Sequence, residues 1–329
     1  MRKIIVTGAG GFIGHHLAGF FKSKGDYVIG IDIKKPEFEA TKADKFVIYD
    51  IREKSKSFED LFKGIDDVWG LAADMGGMGF ISQNHATIMR NNVTINLNTL
   101  EAARKAKVKR YLYTSSACMY PVNLQTEENS APLAENMAYP ANPQHGYGWE
   151  KLYTEKLCEY YREEFGLDTH IVRFHNTYGP LGAWQGGREK APAALCRKVI
   201  EAIRDGKDHI DIWGDGKQTR SFCYIDDTIK GLNLLMESGY AKPLNMGRDE
   251  MVSINELVDV IMKTAGVKLK KVYVEGPQGV RGRNSDNTLC KKILGWAPEI
   301  DLETGMAKTY DWVKKQVEKS GVQTPAGKK

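Results

Sequence analysis

A tyrosine and a lysine one helical turn apart are the residues of this sequence best placed to move a proton. Tyr147 and Lys151 stand at positions i and i+4 of a helical pattern, so their side chains share one face. A phenol, with an ordinary pKa of about 10, acts as a base at neutral pH only where a cation lowers that pKa, and Lys151 carries such a charge. Ser115 and Ser116, which end a predicted strand, can hydrogen-bond the same substrate hydroxyl. The spacing also occurs on solvated helix faces, so the prediction depends on its context.

A glycine-rich turn between the first predicted strand and the first predicted helix supplies that context. Glycines here let the backbone turn tightly, approach a pyrophosphate and pack helix against strand, and the amides of the helix N-terminus then donate to phosphates. The positive nicotinamide ring of an oxidised dinucleotide would add its charge to that of Lys151. The turn therefore predicts a dinucleotide site that includes Gly8, Gly11, Phe12, Ile13 and Gly14.

An acidic residue at the end of the second predicted strand indicates which dinucleotide binds. Asp32 lies where a carboxylate accepts hydrogen bonds from the adenosine ribose and repels a 2′-phosphate, which favours NAD over NADP. The adjacent Lys34 and Lys35 leave NADP as an alternative. Asp50, which ends the third predicted strand, is either a contact for the adenine edge or an exposed carboxylate without a role in binding.

Short apolar strands alternate with helices over the first half of the chain, which is typical of a doubly wound parallel sheet. Strands are predicted at 3–7, 27–33, 45–50, 67–72, 110–116 and 169–174, and helices at 14–24, 84–106, 147–165, 192–204, 226–237, 254–264 and 303–317. We therefore predict an α/β protein with a Rossmann-type NAD-binding domain and a smaller C-terminal α/β substrate domain. The first would span 1–176 and be rejoined by about 222–248, and the second would comprise 177–221 and 249–317. We expect 318–329 to be a disordered tail.

Composition and charge exclude several other classes of protein. The 329 residues include 47 Lys and Arg against 42 Asp and Glu, a net charge of +5, and no long basic block with interleaved aromatics indicates nucleic-acid binding. No apolar run approaches the about 20 residues of a membrane span, and the N-terminus lacks a signal-peptide pattern, so we expect a cytoplasmic protein. The five cysteines form no Cys-x-x-Cys pair and the histidines lack metal-ligand spacing, so we expect neither disulfides nor a metal.

Longer motifs identify a family. The segments TGAGGFIG (7–14), LAA (71–73), SSA (115–117), YGWEK (147–151), RFHNTYGP (173–180), WGDGKQTRSFCYIDD (213–227) and LGWAP (294–298) resemble the extended short-chain dehydrogenase/reductases that act on nucleotide sugars. This resemblance covers about residues 2–317. Within the family, the stretches 71–80, 115–120, 186–193 and 279–286 resemble the branch that inverts C3 and C5 of GDP-mannose. The resemblance implies an NAD-dependent isomerase whose partners are GDP-mannose and its epimers, GDP-L-galactose and GDP-L-gulose.

Inversion at C3 and C5 needs two proton-transfer groups besides the redox pair. Oxidation of the C4 hydroxyl to a ketone acidifies the hydrogens on both flanking carbons, and inversion then requires a base on one ring face and an acid on the other. Cys118 is one candidate, because it lies two residues beyond Ser116 on a segment that we predict to be extended, so both side chains point the same way. Lys190, in the glycine-rich loop 186–191, is the other, since enclosure can lower a lysine pKa towards neutrality. The resemblance implies Cys118 as base and Lys190 as acid, whereas the spacing leaves their order open.

The resemblance also implies further ligand-binding positions. Ala72 would join the cofactor site, and Asn176 would contact the diphosphate. Lys198, Arg220 and Arg283 would bind phosphate or ribose, with solvated loop cations as the alternative. The remaining implied substrate contacts are Gly76, Ala117, Glu189, Ala191, Gln218 and Thr219.

Two long helices bear on the oligomeric state. The helices predicted at 84–106 and 147–165 carry apolar residues on more than one face, among them Ile88, Val93, Leu97, Leu152 and Leu157. Similar proteins pair these helices into a four-helix interface, so we expect a homodimer. Burial of the same residues against the protein's own sheet is the alternative.

Two other functions stay open on the sequence alone. A nucleotide-sugar 4-epimerase, 4,6-dehydratase or decarboxylase of the same fold would need Tyr147 and Lys151 but not the pair formed by Cys118 and Lys190. A catalytically inactive NAD-sensing regulator would be expected to have lost Tyr147, Lys151 or Ser116, and all three are present. The preference for guanine over other bases rests on the resemblance alone.

Overall fold

Strands and helices alternate through the first half of the chain in the computed structural model, which describes residues 1–321. The predicted strands and helices of this half are present, each within two residues of its predicted ends. The elements are β1 (Lys3–Thr7), α1 (Phe12–Ser23), β2 (Tyr27–Asp32), β3 (Lys45–Ile48), α2 (Lys56–Asp60), β4 (Asp67–Gly70), α3 (Met78–Ile81), α4 (His85–Lys105), β5 (Arg110–Ser116), α5 (His145–Phe165) and β6 (Asp168–Phe174).

The second half contains short strands between helices. Its elements are β7 (Asn176–Tyr178), α6 (Ala191–Arg204), β8 (His209–Trp213), β9 (Thr219–Tyr224), α7 (Ile225–Glu237), β10 (Leu244–Met246), β11 (Met251–Ser253), α8 (Ile254–Ala265), β12 (Lys270–Val274), β13 (Gly282–Arg283), α9 (Thr288–Leu294) and α10 (Leu302–Gly321). Within residues 1–321, no helix is both long and apolar enough to cross a membrane.

Seven parallel strands form the main sheet, in the order β10–β6–β5–β4–β1–β2–β3. The chain reverses its direction of travel across the sheet between β1 and β4, and at such a switch point the carboxyl ends of the strands open a crevice for a ligand. Strand β4 is buried at every position and β1 at all but its first, because helices cover both faces. The predicted α/β fold with a Rossmann-type parallel sheet is confirmed.

The smaller sheets come from the second half of the chain. Strand β9 pairs with β7, β11 and β13, and β8 pairs in parallel with β12. Helices α6, α8 and α10 pack against one another beside these strands. Because α10 continues to Gly321, the predicted disordered tail is wrong for residues 318–321, and 322–329 lie outside the described residues.

The ends of several helices follow from local sequence. Helix α5 ends at Gly166, whose φ of +69° is a left-handed conformation that favours glycine. Helix α8 begins with a capping box, in which the Ser253 hydroxyl accepts from the Glu256 amide at 3.1 Å and the Glu256 carboxylate accepts from the Ser253 amide at 2.7 Å. Helix α1 instead begins after Gly11 without any side-chain cap, so its first amides can donate to a ligand.

Candidate active site

A cavity of about 980 Å³ extends from the glycine-rich turn to the loops of the second half of the chain. It is lined by every predicted site residue except Thr219. The Thr219 hydroxyl instead donates to the carbonyl oxygen of Glu128, and its contact with a substrate stays a prediction. Residues predicted from many separate parts of the chain therefore share one cavity.

The glycine-rich turn has the close backbone packing that a dinucleotide site requires. A Cβ on Gly14 would lie 2.2 Å from the carbonyl oxygen of Gly8, so only glycine lets α1 start this close to β1. Gly8 itself has a φ of +73°, and a Cβ there would meet the backbone nitrogen of Ala72 at 2.8 Å. This glycine-only cradle and the uncapped N-terminus of α1 fit the diphosphate of NAD.

The two acidic residues predicted at the cofactor site differ in their surroundings. Asp32 ends β2, and its carboxylate accepts from the amide of Gly10 at 2.9 Å and from that of Lys34 at 3.2 Å. Burial raises the pKa of Asp32 despite these hydrogen bonds. Asp50 lies beyond the end of β3 at Ile48, rather than ending the strand as predicted. The Arg52 guanidinium lies 2.5 Å from the Asp50 carboxylate and lowers its pKa.

Tyr147 and Lys151 both lie in the first half of α5. The Lys151 ammonium donates to the carbonyl oxygen of Thr114 at 3.0 Å and lies 5.4 Å from the centre of the Tyr147 ring. Burial raises the pKa of Tyr147 well above its usual value, and Cys118 and Glu150 raise it further. In the protein alone the pKa of Tyr147 is therefore raised, and the lowering that we predicted from Lys151 together with the positive nicotinamide ring stays a prediction.

The two serines at the end of β5 point in different directions, as neighbouring residues of a strand do. Ser115 is buried and its hydroxyl donates to the Glu155 carboxylate at 2.5 Å, so the prediction that it shares a substrate hydroxyl with Ser116 is wrong. The Ser116 hydroxyl accepts from the amide of Cys118 at 3.2 Å. Of the two, Ser116 is the one available to a substrate.

Cys118 reaches the cavity by a different route from the one predicted. The chain does not stay extended after Ser116 but forms a 3₁₀ turn over Ala117–Met119, so strand alternation is the wrong reason for its orientation. Helix α5 packs closely on this turn, since a Cβ on Gly148 would lie 2.2 Å from the carbonyl oxygen of Cys118. Gly148 thereby brings the helix of Tyr147 up to the thiol.

The Cys118 thiol lies among positive charges. Its sulfur accepts from Nη1 of Arg283 at 3.1 Å. Burial by itself would raise the pKa of Cys118, but the charge of Arg283, hydrogen bonds with Ser116 and Arg283, and the charge of Lys190 together lower it. The other four cysteines are fully buried, and burial raises the pKa of each: Cys158, Cys196, Cys223 and Cys290. Cys118 is thus the thiol suited to act as a base.

Lys190 is the residue immediately before α6, and its side chain lines the same cavity. Burial lowers the pKa of Lys190, and the neighbouring Cys118 offsets this only in part. The two candidate proton-transfer groups therefore lie close enough to affect one another, although they come from separate loops.

A sequence model of the NAD dependent epimerase/dehydratase family matches residues 4–247. The chain belongs to this family. It is 49% identical to GDP-mannose 3,5-epimerase of Arabidopsis thaliana, over 96% of this chain and 83% of that protein. It is 50% identical to GDP-mannose 3,5-epimerase 1 of Oryza sativa subsp. japonica, over 98% of this chain and 84% of that protein. As a member of this family, the protein uses NAD as its cofactor.

Solved structures of this epimerase family share the fold. UDP-glucose 4-epimerase from Thermotoga maritima, solved with UDP-glucose, has a TM-score of 0.87 and 27% identity, covering 96% of this chain and 100% of that chain. UDP-glucuronic acid 4-epimerase from Bacillus cereus, in complex with UDP-glucuronic acid and NAD, has a TM-score of 0.80 at 27% identity with the same coverage. These relatives support a nucleotide sugar as the class of substrate.

Arg283 and Arg220, predicted to bind phosphate or ribose, donate hydrogen bonds to acceptors of the protein itself. Arg283 donates through Nε to the Gln125 side chain at 2.5 Å and through Nη1 to Cys118, so the structure places it at the thiol. Arg220 donates to the carbonyl oxygens of Thr219 at 2.6 Å and Val280 at 2.7 Å, and burial lowers its pKa to about 9.

Lys198 and Asn176, two further predicted ligand contacts, also line the cavity. Lys198 donates to the carbonyl oxygen of Asp211 at 2.8 Å and lies 5.3 Å from the centre of the Trp213 ring. The Asn176 amide donates to the carbonyl oxygen of Ser221 at 3.0 Å. These side chains would have to exchange a protein acceptor for a ligand oxygen, or contact the ligand through their remaining atoms.

A hydrogen-bonded group that sequence reasoning did not identify lies beside the cavity. Arg188 donates to the Asp74 carboxylate at 3.1 Å, and Asn91 and Asn92 of α4 hold Asp74 in place. Glu150 of α5 accepts from Asn92 at 2.8 Å. Asp74 and Arg188 lie within stretches 71–80 and 186–193, whose resemblance to the 3,5-epimerase branch was the one available signal.

Proposed function

We propose that this chain is an NAD-dependent epimerase that converts GDP-mannose to GDP-L-galactose and GDP-L-gulose. The observation that carries the proposal is the position of Cys118, bonded to Arg283 and influenced by Lys190, in the same cavity as Tyr147 and Lys151. A redox pair together with a separate acid–base pair is what inversion at C3 and C5 requires. The names of the relatives from Arabidopsis and rice support the same substrate.

The first task of the chain's own residues is proton transfer at the C4 oxygen. NAD, held by the glycine-rich turn and Asp32, supplies reversible oxidation at C4 when it is bound. Tyr147 takes the proton of the C4 hydroxyl as the ketone forms and returns it to the C4 oxygen at the end of the cycle. Ser116 hydrogen-bonds that oxygen. The bond from Lys151 to the Thr114 carbonyl fixes the ammonium beneath the tyrosine ring.

The second task is inversion of the carbons beside the ketone. The Cys118 thiolate removes a proton from C5 or C3 on one face of the ring, and the Lys190 ammonium delivers one to the opposite face. Arg283 keeps the thiolate available at neutral pH by donating to the sulfur. A low thiol pKa and a low lysine pKa bring both groups towards the pH at which proton transfer in each direction is efficient.

Incubation with GDP-mannose in deuterated water, followed by NMR of the sugar, tests this function. We expect deuterium at C5 and C3 together with the appearance of the two L-sugar products. A parallel incubation with UDP-glucose serves as the control, because simple 4-epimerisation exchanges neither hydrogen with solvent. Conversion of UDP-glucose to its C4 epimer, with GDP-mannose left unlabelled, would establish the 4-epimerase alternative instead.

We also propose that the protein is a homodimer formed through α4 and α5. Of the apolar residues predicted for this role, Ile88 and Leu152 are buried within their own chain. The support comes from other residues that the two helices expose, namely Met89 at 38%, Trp149 at 45%, Tyr153 at 50% and Tyr160 at 57%.

Sedimentation velocity checks the dimer. The double substitution Trp149→Glu with Tyr153→Glu should give a monomer at concentrations where the unmodified protein is a dimer. Tyr273→Glu, at a tyrosine exposed to 51% on β12, is the matched control and should remain dimeric. An unmodified protein that sediments as a monomer would contradict the proposal, and so would a dimer that survives the double substitution.

We propose the same division of the chain into two domains as the sequence predicts. Residues 1–176, rejoined by 222–248 with α7 and β10, would form the NAD-binding domain, and 177–221 with 249–317 the substrate domain. The pairing of β10 with β6 supports the return of the chain to the main sheet. Limited proteolysis with and without NAD would test whether the two parts are protected separately.

For cellular location we propose the cytoplasm. All five cysteines are unpaired, which suits a reducing compartment. Cell fractionation with an antibody to the protein would test this, and recovery in a secreted or membrane fraction would contradict it.

A further inference from the structure

Arg188 joins two loops that line the cavity, residues 74–80 and 186–191. Its Nη1 donates to the Asp74 carboxylate at 3.1 Å and to the carbonyl oxygen of Met75 at 3.2 Å, and its guanidinium lies 4.0 Å from the centre of the Phe80 ring. Its own carbonyl oxygen accepts from the amide of Gly77 at 3.2 Å. One residue of the loop that carries Lys190 is thus bound at four points to the segment 74–80.

The loop 74–80 offers a fixed anchor for these contacts. The Asp74 carboxylate accepts from Asn91 at 2.9 Å, its amide donates to Asn92 at 2.6 Å, and its carbonyl oxygen accepts from Asn92 at 3.2 Å. Both asparagines are buried in α4, and Asn92 also donates to Glu150 on the helix that carries Tyr147. The chain of contacts therefore runs from the redox helix to Arg188, two residues before Lys190.

The two loops also fit closely through their backbones. A Cβ on Gly77 would lie 2.5 Å from the carbonyl oxygen of Glu189, so the residue next to Lys190 rests directly on the opposite loop. The Glu189 carboxylate accepts hydrogen bonds from Arg197 and from the amide of Gly187, rather than from segment 74–80. Arg188 supplies the side-chain connection between the loops.

From this geometry we propose that Arg188, bonded to Asp74, is a positioning residue that holds Lys190 over the sugar ring opposite Cys118. The proposal rests on the function given above for Lys190. The side-chain contacts of Arg188 are with Asp74, Met75 and Phe80 and not with the thiol, so it acts through the placement of the lysine. A lysine could not replace it fully, because only the planar guanidinium can reach a carboxylate and a carbonyl oxygen while stacking on Phe80.

Thiol reactivity tests the proposal without any substrate. The rate of Cys118 alkylation by iodoacetamide is measured against pH in the unmodified protein, Arg188→Ala, Lys190→Ala and the double variant, with Cys118→Ser as the blank. The charge of Lys190 favours the Cys118 thiolate, whereas Arg188 is not one of the groups that chiefly shift its pKa. Lys190→Ala should therefore move the midpoint of alkylation to higher pH. At a fixed pH below the midpoint, the alkylation rate falls about tenfold for each whole pH step by which the midpoint rises.

We expect Arg188→Ala to move the alkylation midpoint to higher pH as well. The double variant should have the same midpoint as Lys190→Ala. Arg204→Ala is the matched control, since the Arg204 side chain is exposed to the same 53% and is also paired with an aspartate. An unchanged midpoint in Arg188→Ala overturns the proposal, as does an unchanged midpoint in Lys190→Ala. A still higher midpoint in the double variant would show that Arg188 acts independently of Lys190.

Turnover of GDP-mannose separates this proposal from the function on which it rests. Misplacement of a catalytic group by about 1 Å costs about 10²-fold in rate, so kcat in Arg188→Ala should fall by that order with little change in KM. In the Lys190→Ala background the same substitution should have almost no effect. Absence of turnover in the unmodified protein would refute the proposed function while the alkylation result still decides the role of Arg188.

Discussion

Replacement of Cys118 by serine removes the ionisable thiol but keeps a side chain that can make the same hydrogen bonds. The serine hydroxyl can still accept from Arg283 and the amide of residue 118 can still donate to Ser116, but a hydroxyl does not ionise near neutral pH. Loss of a placed acid–base group costs about 10²- to 10⁴-fold in rate. That corresponds to about 2.7 to 5.5 kcal/mol of activation free energy. Oxidation at C4, which uses Tyr147, should continue.

The alanine variant provides the comparison on stability. Arg283 is 8% exposed, and in Cys118→Ala its Nη1 loses the acceptor at 3.1 Å. Leaving a buried donor unpaired costs about 1–3 kcal/mol, so urea unfolding should show Cys118→Ala to be less stable than Cys118→Ser.

The assay for both variants is deuterium incorporation at C3 and C5 of GDP-mannose, read by NMR. Both should lose exchange at the two carbons to a similar extent despite their different stabilities. Cys290→Ala, at a fully buried cysteine outside the cavity, is the control and should keep normal exchange. Normal exchange in Cys118→Ser would mean that the thiol is not the base, and the proposed mechanism would fail.

Three further predictions concern rate and stability. Tyr147→Phe should lower kcat about 10²- to 10⁴-fold with little change in substrate affinity, and normal turnover would remove Tyr147 from the mechanism. The rate of epimerisation should be bell-shaped in pH, rising as Cys118 ionises below the pH of an ordinary thiol and falling as Lys190 deprotonates below that of an ordinary lysine. A profile like those of free cysteine and lysine would contradict this. Burial lowers the pKa of His175 to about 3, so on acidification the unfolded chain binds a proton at this histidine before the folded chain does. The free energy of unfolding should therefore fall as pH drops from 6.5 towards 3, by up to about 1.4 kcal/mol per pH unit. His175→Phe should flatten this dependence in urea titrations, and an unaltered slope would exclude His175 as its cause.

The main-sheet strands and the long helices of the first half could be predicted because each has a strong local pattern, whereas the short helices α2 and α3 were not predicted. Strand β1 is a short apolar run that ends in glycines, and α5 ends at Gly166. Strands β7, β10, β11 and β13 have only two or three residues, which is too short for alternation to be visible. Their pairing depends on tertiary contacts, so the same reasoning could not find them.

The sequence predicted the positions of site residues that lie at the end of a strand or at helical spacing. It did not predict the turn that follows β5. Asp32 lies where its strand position required, and Tyr147 and Lys151 share α5. The turn after Ser116 was missed because Ala-Cys-Met carries no turn-forming residue, and a serine hydroxyl bonded to the Cys118 amide forms it instead. Asp74 and Arg188 were missed because a salt bridge between residues so far apart in sequence leaves no periodic signal.

The position of Arg283 explains how a fold shared with 4-epimerases can acquire an acid–base pair. Tyr147, Ser116 and Lys151 all lie at the main sheet or on the helix that covers it, where 4-epimerisation needs nothing more. Cys118 follows directly from that sheet, but its partner Arg283 lies 165 residues away on β13, in register with Arg220 on β9. The hydrogen bond to the thiol therefore depends on the second half of the chain being in place. In the proposed mechanism, inversion beside the ketone is thereby restricted to the assembled site, in which Lys190 also lines the cavity.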